Sequence, residues 1–494
     1  MKNKLIRLLS LVLVVIMSFA ALVACKNRDE EITLSTEPYE GDVIWVGNTA
    51  GTTGALASIG VPFNLGINAA FAEYNANGGF NGRTVALKHY DDKGVATNSV
   101  SLMEKLVHED EVFAIVGNYG GYALNVNLDI LKENCVPMVY AAAGIDALYN
   151  SNATSDGDRC IFPVQPLNKT EGRSLIVRAF ANSIVDPTLP KDQWVLTGGL
   201  GAKKVGVIAN QDEASQGILN GIKVEAASLP ESKRNNIEYQ EVAGSDFGAA
   251  ATSIVSAGCD TVIVTVTGEA NFVAALTALA QANFHGNVLT SYNNADAGVL
   301  NGDDNKLTQA GREIMDKMTI YAQGWLDVTS TEYVYSKDTP LFKTYKIQDA
   351  ELYGEGVVGF TEEYWNVAEA IFNYAYTVDK GSAWAMSYNS YALAGYIAGN
   401  LFCQALEELE KSGKELTRAN LVEIMETVEL QVAMAETISY ANGSRTGVEK
   451  FAASVFVDTS DESFGENATN DRVAASAPFT GLQTIEDLRK FITE

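Results

Sequence analysis

The chain has 494 residues, with 35 Lys and Arg against 62 Asp and Glu, for a formal charge of −27 at pH 7. A field of that sign repels nucleic acid and anionic headgroups, so neither is an expected partner. The length exceeds what one hydrophobic core serves and points to at least two packed units.

The first 25 residues read as an export signal. Lys2, Lys4 and Arg7 open it, an apolar run follows from Leu8 to Val23, and Leu22-Val23-Ala24-Cys25 closes it. The run falls short of the ~20 residues that a bilayer core requires, and its charged start and small-residue end suit a cleaved signal. The closing tetrad resembles the lipobox of bacterial lipoproteins. That resemblance implies removal of residues 1–24 and lipidation of Cys25, with the mature chain anchored on the extracytoplasmic face of the cell membrane. Tethering in place of periplasmic confinement favours a Gram-positive-type cell. Residues 25–41 are polar after the Cys and form a flexible tether.

From Asp42 strands and helices alternate. Val43–Gly47 is a strand, and Phe63, Ile67, Ala70, Phe71 and Tyr74 keep helical spacing within Val61–Asn75. A turn at Gly78–Gly82 leads to a strand (Thr84–Tyr90), a helix (Ala96–Val107), a strand (Phe113–Gly117), a helix (Tyr122–Glu133) and a strand (Val136–Ala141). The alternation restarts after Ile161–Val164, with strands at Lys203–Ala209, Ile237–Val242, Thr261–Thr265 and Asn287–Ser291. Helices at Thr170–Ser183, Gly217–Leu229, Phe247–Ala257 and Asn271–Ala282 separate them. The fold class is therefore α/β, with two doubly wound parallel-sheet domains. The last third reads as mostly helical, with apolar stripes at Tyr364–Ala375 and Ala394–Ala405. Residues 187–201 look like a loop insertion, and 458–471 like an acidic surface excursion.

Beyond Cys25 the cysteines are Cys135, Cys160, Cys259 and Cys403, with no Cys-x-x-Cys pair. Cys135 and Cys160 each precede a strand, and both a disulfide and two buried thiols remain open. Cys259 and Cys403 read as core. His89, His108 and His285 form no metal or catalytic pairing, and no nucleophile elbow or phosphate loop occurs, so an enzyme is not expected. Asp156-Gly157-Asp158 and Asp303-Asp304-Asn305 lack the later Glu of a calcium loop. No metal and no cofactor is expected.

An ordered set of segments then points to a family: Gly54-Ala55-Leu56-Ala57-Ser58-Ile59-Gly60, Asn75 to Arg83, Tyr90-Asp91-Asp92, Ala114-Ile115-Val116-Gly117 and Val136-Pro137-Met138. The succession resembles the leucine/isoleucine/valine-binding group of solute-binding proteins, with their type I periplasmic-binding fold. Asp246-Phe247, Gly258 to Val262 and Ser390 through Leu406 are similar to later parts of that family. The resemblance spans about 42 to 447. It implies two lobes joined by a hinge, an interdomain ligand cleft and delivery of a small polar solute to an ABC permease in the membrane. It places 42–164 and 323–450 in the N-terminal lobe, and 165–322 and 451–494 in the C-terminal lobe. A monomer is expected.

The resemblance also implies a pocket. Ser58, Asn118, Tyr119, Gly120, Gly121, Ala142 and Gly144 are expected on the N-terminal side, and Ser215, Thr267, Glu269, Tyr292 and Asn293 on the other. Family members that bind amino acids place hydroxyls where this chain has Gly121 and Gly144, and an acid where it has Asn293. Glu269 or Asp296 is a candidate substitute for that acid. Without one, amides, nucleosides and organic acids rank beside amino acids as ligands, because a desolvated ammonium needs a counter-charge. Tyr119, Tyr122 and Tyr292 are candidates to roof a ligand. A ligand-binding sensor is the alternative role.

Overall fold

The structure, a computed structural model, describes residues 32–186, 188–190, 193, 195–302, 304, 306–330, 359–458 and 472–493. The signal, Cys25, Asp303, Asn305 and residues 459–471 lie outside that set.

The first lobe is built on β1 (Val43–Ala50), β2 (Thr84–Asp91), β3 (Ala114–Val116), β4 (Met138–Val139) and β5 (Ile161–Phe162). All pair in parallel, in the order β2-β1-β3-β4-β5. The crossovers are α1 (Ala57–Ala76), α2 (Ala96–His108) and α3 (Gly121–Glu133). Ala114, Ile115 and Val116 are all fully buried. That is why β3 reads as a continuous apolar run and not as an alternation: helices cover both faces of a parallel sheet.

The second lobe repeats the plan. Its parallel strands are β6 (Val205–Ala209), β7 (Ile237–Glu241), β8 (Thr261–Val264), β9 (Gly286–Thr290) and β10 (Met318–Gly324). The helices are α4 (Asn168–Phe180), α5 (Glu213–Ala226), α6 (Gly248–Ser256), α7 (Glu269–Gln281) and α8 (Gln309–Met315). Two small antiparallel pairs follow, β11 (Thr329–Ser330) with β12 (Gly359–Phe360) and β13 (Glu429–Gln431) with β14 (Thr437–Ser439). Finally β15 (Phe451–Asp458) and β16 (Ala474–Gln483) add antiparallel strands at one edge, giving the order β16-β15-β10-β9-β8-β6-β7.

This edge pair corrects the expectation of a helical last third. Within it β15 pairs with β10, well over a hundred positions earlier, and such a contact leaves no local period to read. The helices that were expected are present as α9 (Glu362–Val378), α10 (Ser390–Lys411) and α11 (Arg418–Thr427). They return to the first lobe, where α10 lies on α1 at backbone distance. A Cβ on Gly395 would stand 1.9 Å from Phe63 O, so no larger residue fits there.

The chain thus passes between lobes three times: near 163–167, after Gly324 and near 448–451. A boundary between 322 and 323 would cut β10, since Gln323 and Gly324 still pair with Ala453 and Ala452. The first and third passages run side by side, with Val448 N–H donating to Val164 O at 2.8 Å.

Candidate functional site

Doubly wound sheets receive ligands beyond the carboxyl ends of their strands. On the first lobe, β3 ends in Gly117-Asn118-Tyr119-Gly120-Gly121. Gly120 has φ 94°, a left-handed conformation that lets the chain turn straight into α3. No side chain caps that helix, and its first turn holds no acid. Asn118 turns inward and is fully buried, its Oδ1 accepting from Thr49 N at 2.8 Å and Thr49 Oγ1 at 3.1 Å. It fastens the loop to β1, and its Nδ2 has no partner among the described residues.

Tyr119 faces the other way. Its ring packs 5.8 Å from Phe63, and its backbone bridges to Ala142. Burial, with Tyr391 nearby, pushes its phenol up to about 12. Tyr122 donates to Asp92 Oδ1 at 2.9 Å. Tyr391, in the first turn of α10, stands between Tyr119 and Glu269, whose charge helps raise its pKa after burial. Tyr391 falls within the segment Ser390 through Leu406, which the resemblance does not place in the cleft.

On the second lobe, β9 ends in Ser291-Tyr292-Asn293-Asn294. Glu171, fully buried in the first turn of α4, accepts from Ser291 Oγ at 2.9 Å and Tyr292 N at 2.8 Å. Burial pushes its carboxyl up to about 7, against the pull of those two donors. Tyr292 projects from this support onto the core of the first lobe. Burial holds its phenol well above 10, and Glu171, Tyr140 and Tyr119 add to the shift. Gln165 in the first passage donates to Tyr292 Oη at 3.4 Å, a long bond that joins hinge to cleft. Tyr140 is fully buried beside Tyr292, and its hydroxyl has no partner among the described residues.

The structure therefore gathers Tyr119, Gly120, Gly121, Ala142 and Tyr292 where the lobes meet. Ser58 is exposed at the start of α1. Gly144 is buried, its carbonyl accepting from Asn168 N at 2.7 Å. A Cβ there would lie 2.5 Å from Asn168 Oδ1, so the hydroxyl-bearing side chain of the resemblance has no room. Ser215 is fully buried, with its hydroxyl engaged by Thr265 Oγ1 at 2.8 Å and Asn210 N at 3.0 Å. Thr267 is half-buried, and its carbonyl accepts from Asn271. Glu269 is exposed in the first turn of α7. Asn293 is exposed and folds its amide back on Ser291 Oγ at 3.1 Å. Asp296 caps Gly298 N at 2.7 Å.

Two acids went unread. Glu171 and Glu213 each sit in the first turn of a helix, where an acid ordinarily balances the dipole at the surface, and nothing local marks them out. Glu213 reaches across from α5. Its Oε1 accepts from Asn125 Nδ2 at 2.8 Å, and its Oε2 lies 2.9 Å from where a Cβ on Gly121 would stand.

Other features have structural explanations. Cys135 and Cys160, weighed as a bridge or as thiols, are free and buried in the structure. A hydrogen bond between them holds Cys135 below and Cys160 above the usual thiol range. Asp156 pairs with Arg159 and Asp158 with Lys132, each at 2.8 Å. A cavity of about 430 Å³ is lined by Tyr149, Lys169, Arg173, Glu225 and Arg489. Its arginines are answered by acids: both meet the buried Glu225, and Arg489 also meets Glu486.

Comparison with known proteins agrees with this architecture. A relative described as an amino acid binding protein, from Pseudomonas aeruginosa, is 27% identical over 45% of this chain and 53% of its own length. The chain spans between about a quarter and about half the length of the curated relatives it matches. An ABC transporter substrate-binding protein from Sphaerobacter thermophilus superposes with a TM-score of 0.58 at 17% identity, covering 90% of this chain and 98% of that one. A solute-binding protein from R. palustris, solved in complex with benzoate, gives 0.53 at 15% identity, covering 89% and 97%. At such identities these likenesses establish the fold alone. The family model described as periplasmic binding protein matches residues 43–460. The chain belongs to the periplasmic binding protein family.

Proposed function

We propose that this protein captures one small polar solute between its lobes by hinge closure and hands it to a membrane permease. Tyr119 and Tyr391 on one lobe and Tyr292 on the other form the walls of the ligand chamber. The single observation that carries the reading is the seat of Tyr292: an element of the second lobe packs on the core of the first, beside the buried hydroxyl of Tyr140, which has no partner among the described residues. A solute placed there loses its water to aromatic faces and meets polar groups already fixed in position.

Cys25 carries the lipid that keeps the protein on the outer face of the membrane. Exchanging Cys25 for Ser should release the protein into the medium or the soluble fraction. Amino acids head the ligand classes, supported by the P. aeruginosa relative. Amides, nucleosides and organic acids stand beside them because Asn293 supplies no charge. A thermal-shift screen over these classes tests the reading, since a ligand of the folded state raises Tm by mass action. At least one solute should shift Tm by several degrees at saturation; a flat response across all classes would contradict it.

A further inference from the structure

The head of α3 is a bare positive helix end facing the cleft, without a capping side chain and without an acid of its own. In this chain that place is taken. Glu213 arrives from the opposite lobe, bonded to Asn125, with Oε2 over Gly121. A serine at 121 would have to displace it, so the glycine and the acid form one arrangement.

The surroundings reinforce the negative sign. Asp146 lies near Glu213: burial raises its pKa first, Lys169 opposes the rise, and Glu213 adds to it. Lys169 is shared with the face of Tyr149, 5.5 Å from its ring centroid. Asp92, fully buried below Tyr122, has a second oxygen without a partner among the described residues. Glu269 stands beside Tyr391 on the rim. Glu213 itself has no cation within salt-bridge distance among the described residues, its polar partner being the neutral amide of Asn125. A solute carboxylate placed at α3 would meet an acid already present; Glu213 is exposed, so water screens the repulsion while the open lobes admit it, and the like charge still disfavours the carboxylate.

We infer that Glu213 is the specificity-determining acid of this cleft, and that it selects solutes presenting a cationic nitrogen group, such as an ammonium, amidinium or guanidinium, toward the head of α3. The inference rests on the proposed solute-binding reading and narrows its ligand class. It also gives the chain the counter-charge that Asn293 does not provide, from the opposite end of the chamber.

The test uses matched series measured by calorimetry at pH 7 on the mature chain and on Glu213→Gln. The probes are isopentylamine, leucinamide, leucine and isocaproate; phenethylamine, phenylalaninamide, phenylalanine and hydrocinnamate; and agmatine, argininamide, arginine and 5-guanidinopentanoate. In at least one series the amine and amide should bind tenfold or more tightly than the deaminated acid. For the third series, whose acid keeps its guanidinium, the amide should exceed arginine by the same factor. Glu213→Gln should reduce the gap about tenfold by weakening the cations, with an unchanged melting temperature in the absence of probe. Equal or tighter binding of the acids, or an unchanged gap in the variant, would overturn the assignment. So would silence in all three series, and in that case a thermal shift with a nucleoside or other neutral solute would leave the solute-binding reading standing.

Discussion

The two faces of the cleft are made in opposite ways. At the head of α3 and after β4 the first lobe withdraws its side chains: Gly121 and Gly144 leave space, and Glu213 and Asn168 fill it from the other lobe. At the end of β9 the second lobe anchors its loop from beneath, with Glu171 holding Ser291 and Tyr292. The contrast shows that the second lobe supplies most of the polar chemistry, including the groups that occupy the first lobe's empty positions.

Removing the buried support should have the largest effect. Glu171→Ala leaves the Ser291 hydroxyl and the Tyr292 amide unsatisfied in a closed space, at a cost of about 3 kcal/mol measured by denaturant unfolding. A loss below about 1 kcal/mol would mean that the β9 loop holds itself. The acid should also govern pH dependence. Its folded pKa, about 7, exceeds the ordinary 4.5, so the folded state binds the proton more tightly than the unfolded chain. The stability from that proton is whole below 4.5 and is lost as the pH rises through 7. The loss amounts to about 3 kcal/mol, and Glu171→Gln should abolish it, as unfolding at pH 5 and pH 8 would reveal.

The empty positions should respond more weakly, and unequally. Gly144→Thr meets Asn168 Oδ1 and the Pro166 carbonyl, and should destabilise by about 2 kcal/mol. Gly121→Ala meets the end of a flexible acid that can swing away, and should cost less than about 0.5 kcal/mol. Equal losses at the two sites would break the distinction between a position filled by packing and one filled by a movable charge.

Much of the fold was legible because it rests on local signals. Runs such as Ala114-Ile115-Val116 and Val205 to Ala209 are buried on both faces, and amphipathic helices separate them at regular distances. What stayed hidden depends on distant partners. The edge strand β15 needs β10 to pair with. The cleft divides in the same way. Tyr119 and Tyr292 stand out as aromatics beside strand ends, whereas Ser215, expected in the pocket from the resemblance, has its hydroxyl bound to Thr265 and Asn210. Glu171 is an ordinary first-turn acid until α4 folds beneath β9.

The central claim, that a solute lies between the lobes against these tyrosines, is tested most directly by calorimetric titration. The solute giving the largest thermal shift should be titrated into the mature chain and into Tyr119→Ala. The account predicts at least tenfold weaker binding by the variant, with the fold retained, since one buried aromatic wall contributes more than about 1.4 kcal/mol. Unchanged affinity in a folded Tyr119→Ala would contradict it and move the binding site elsewhere on the molecule.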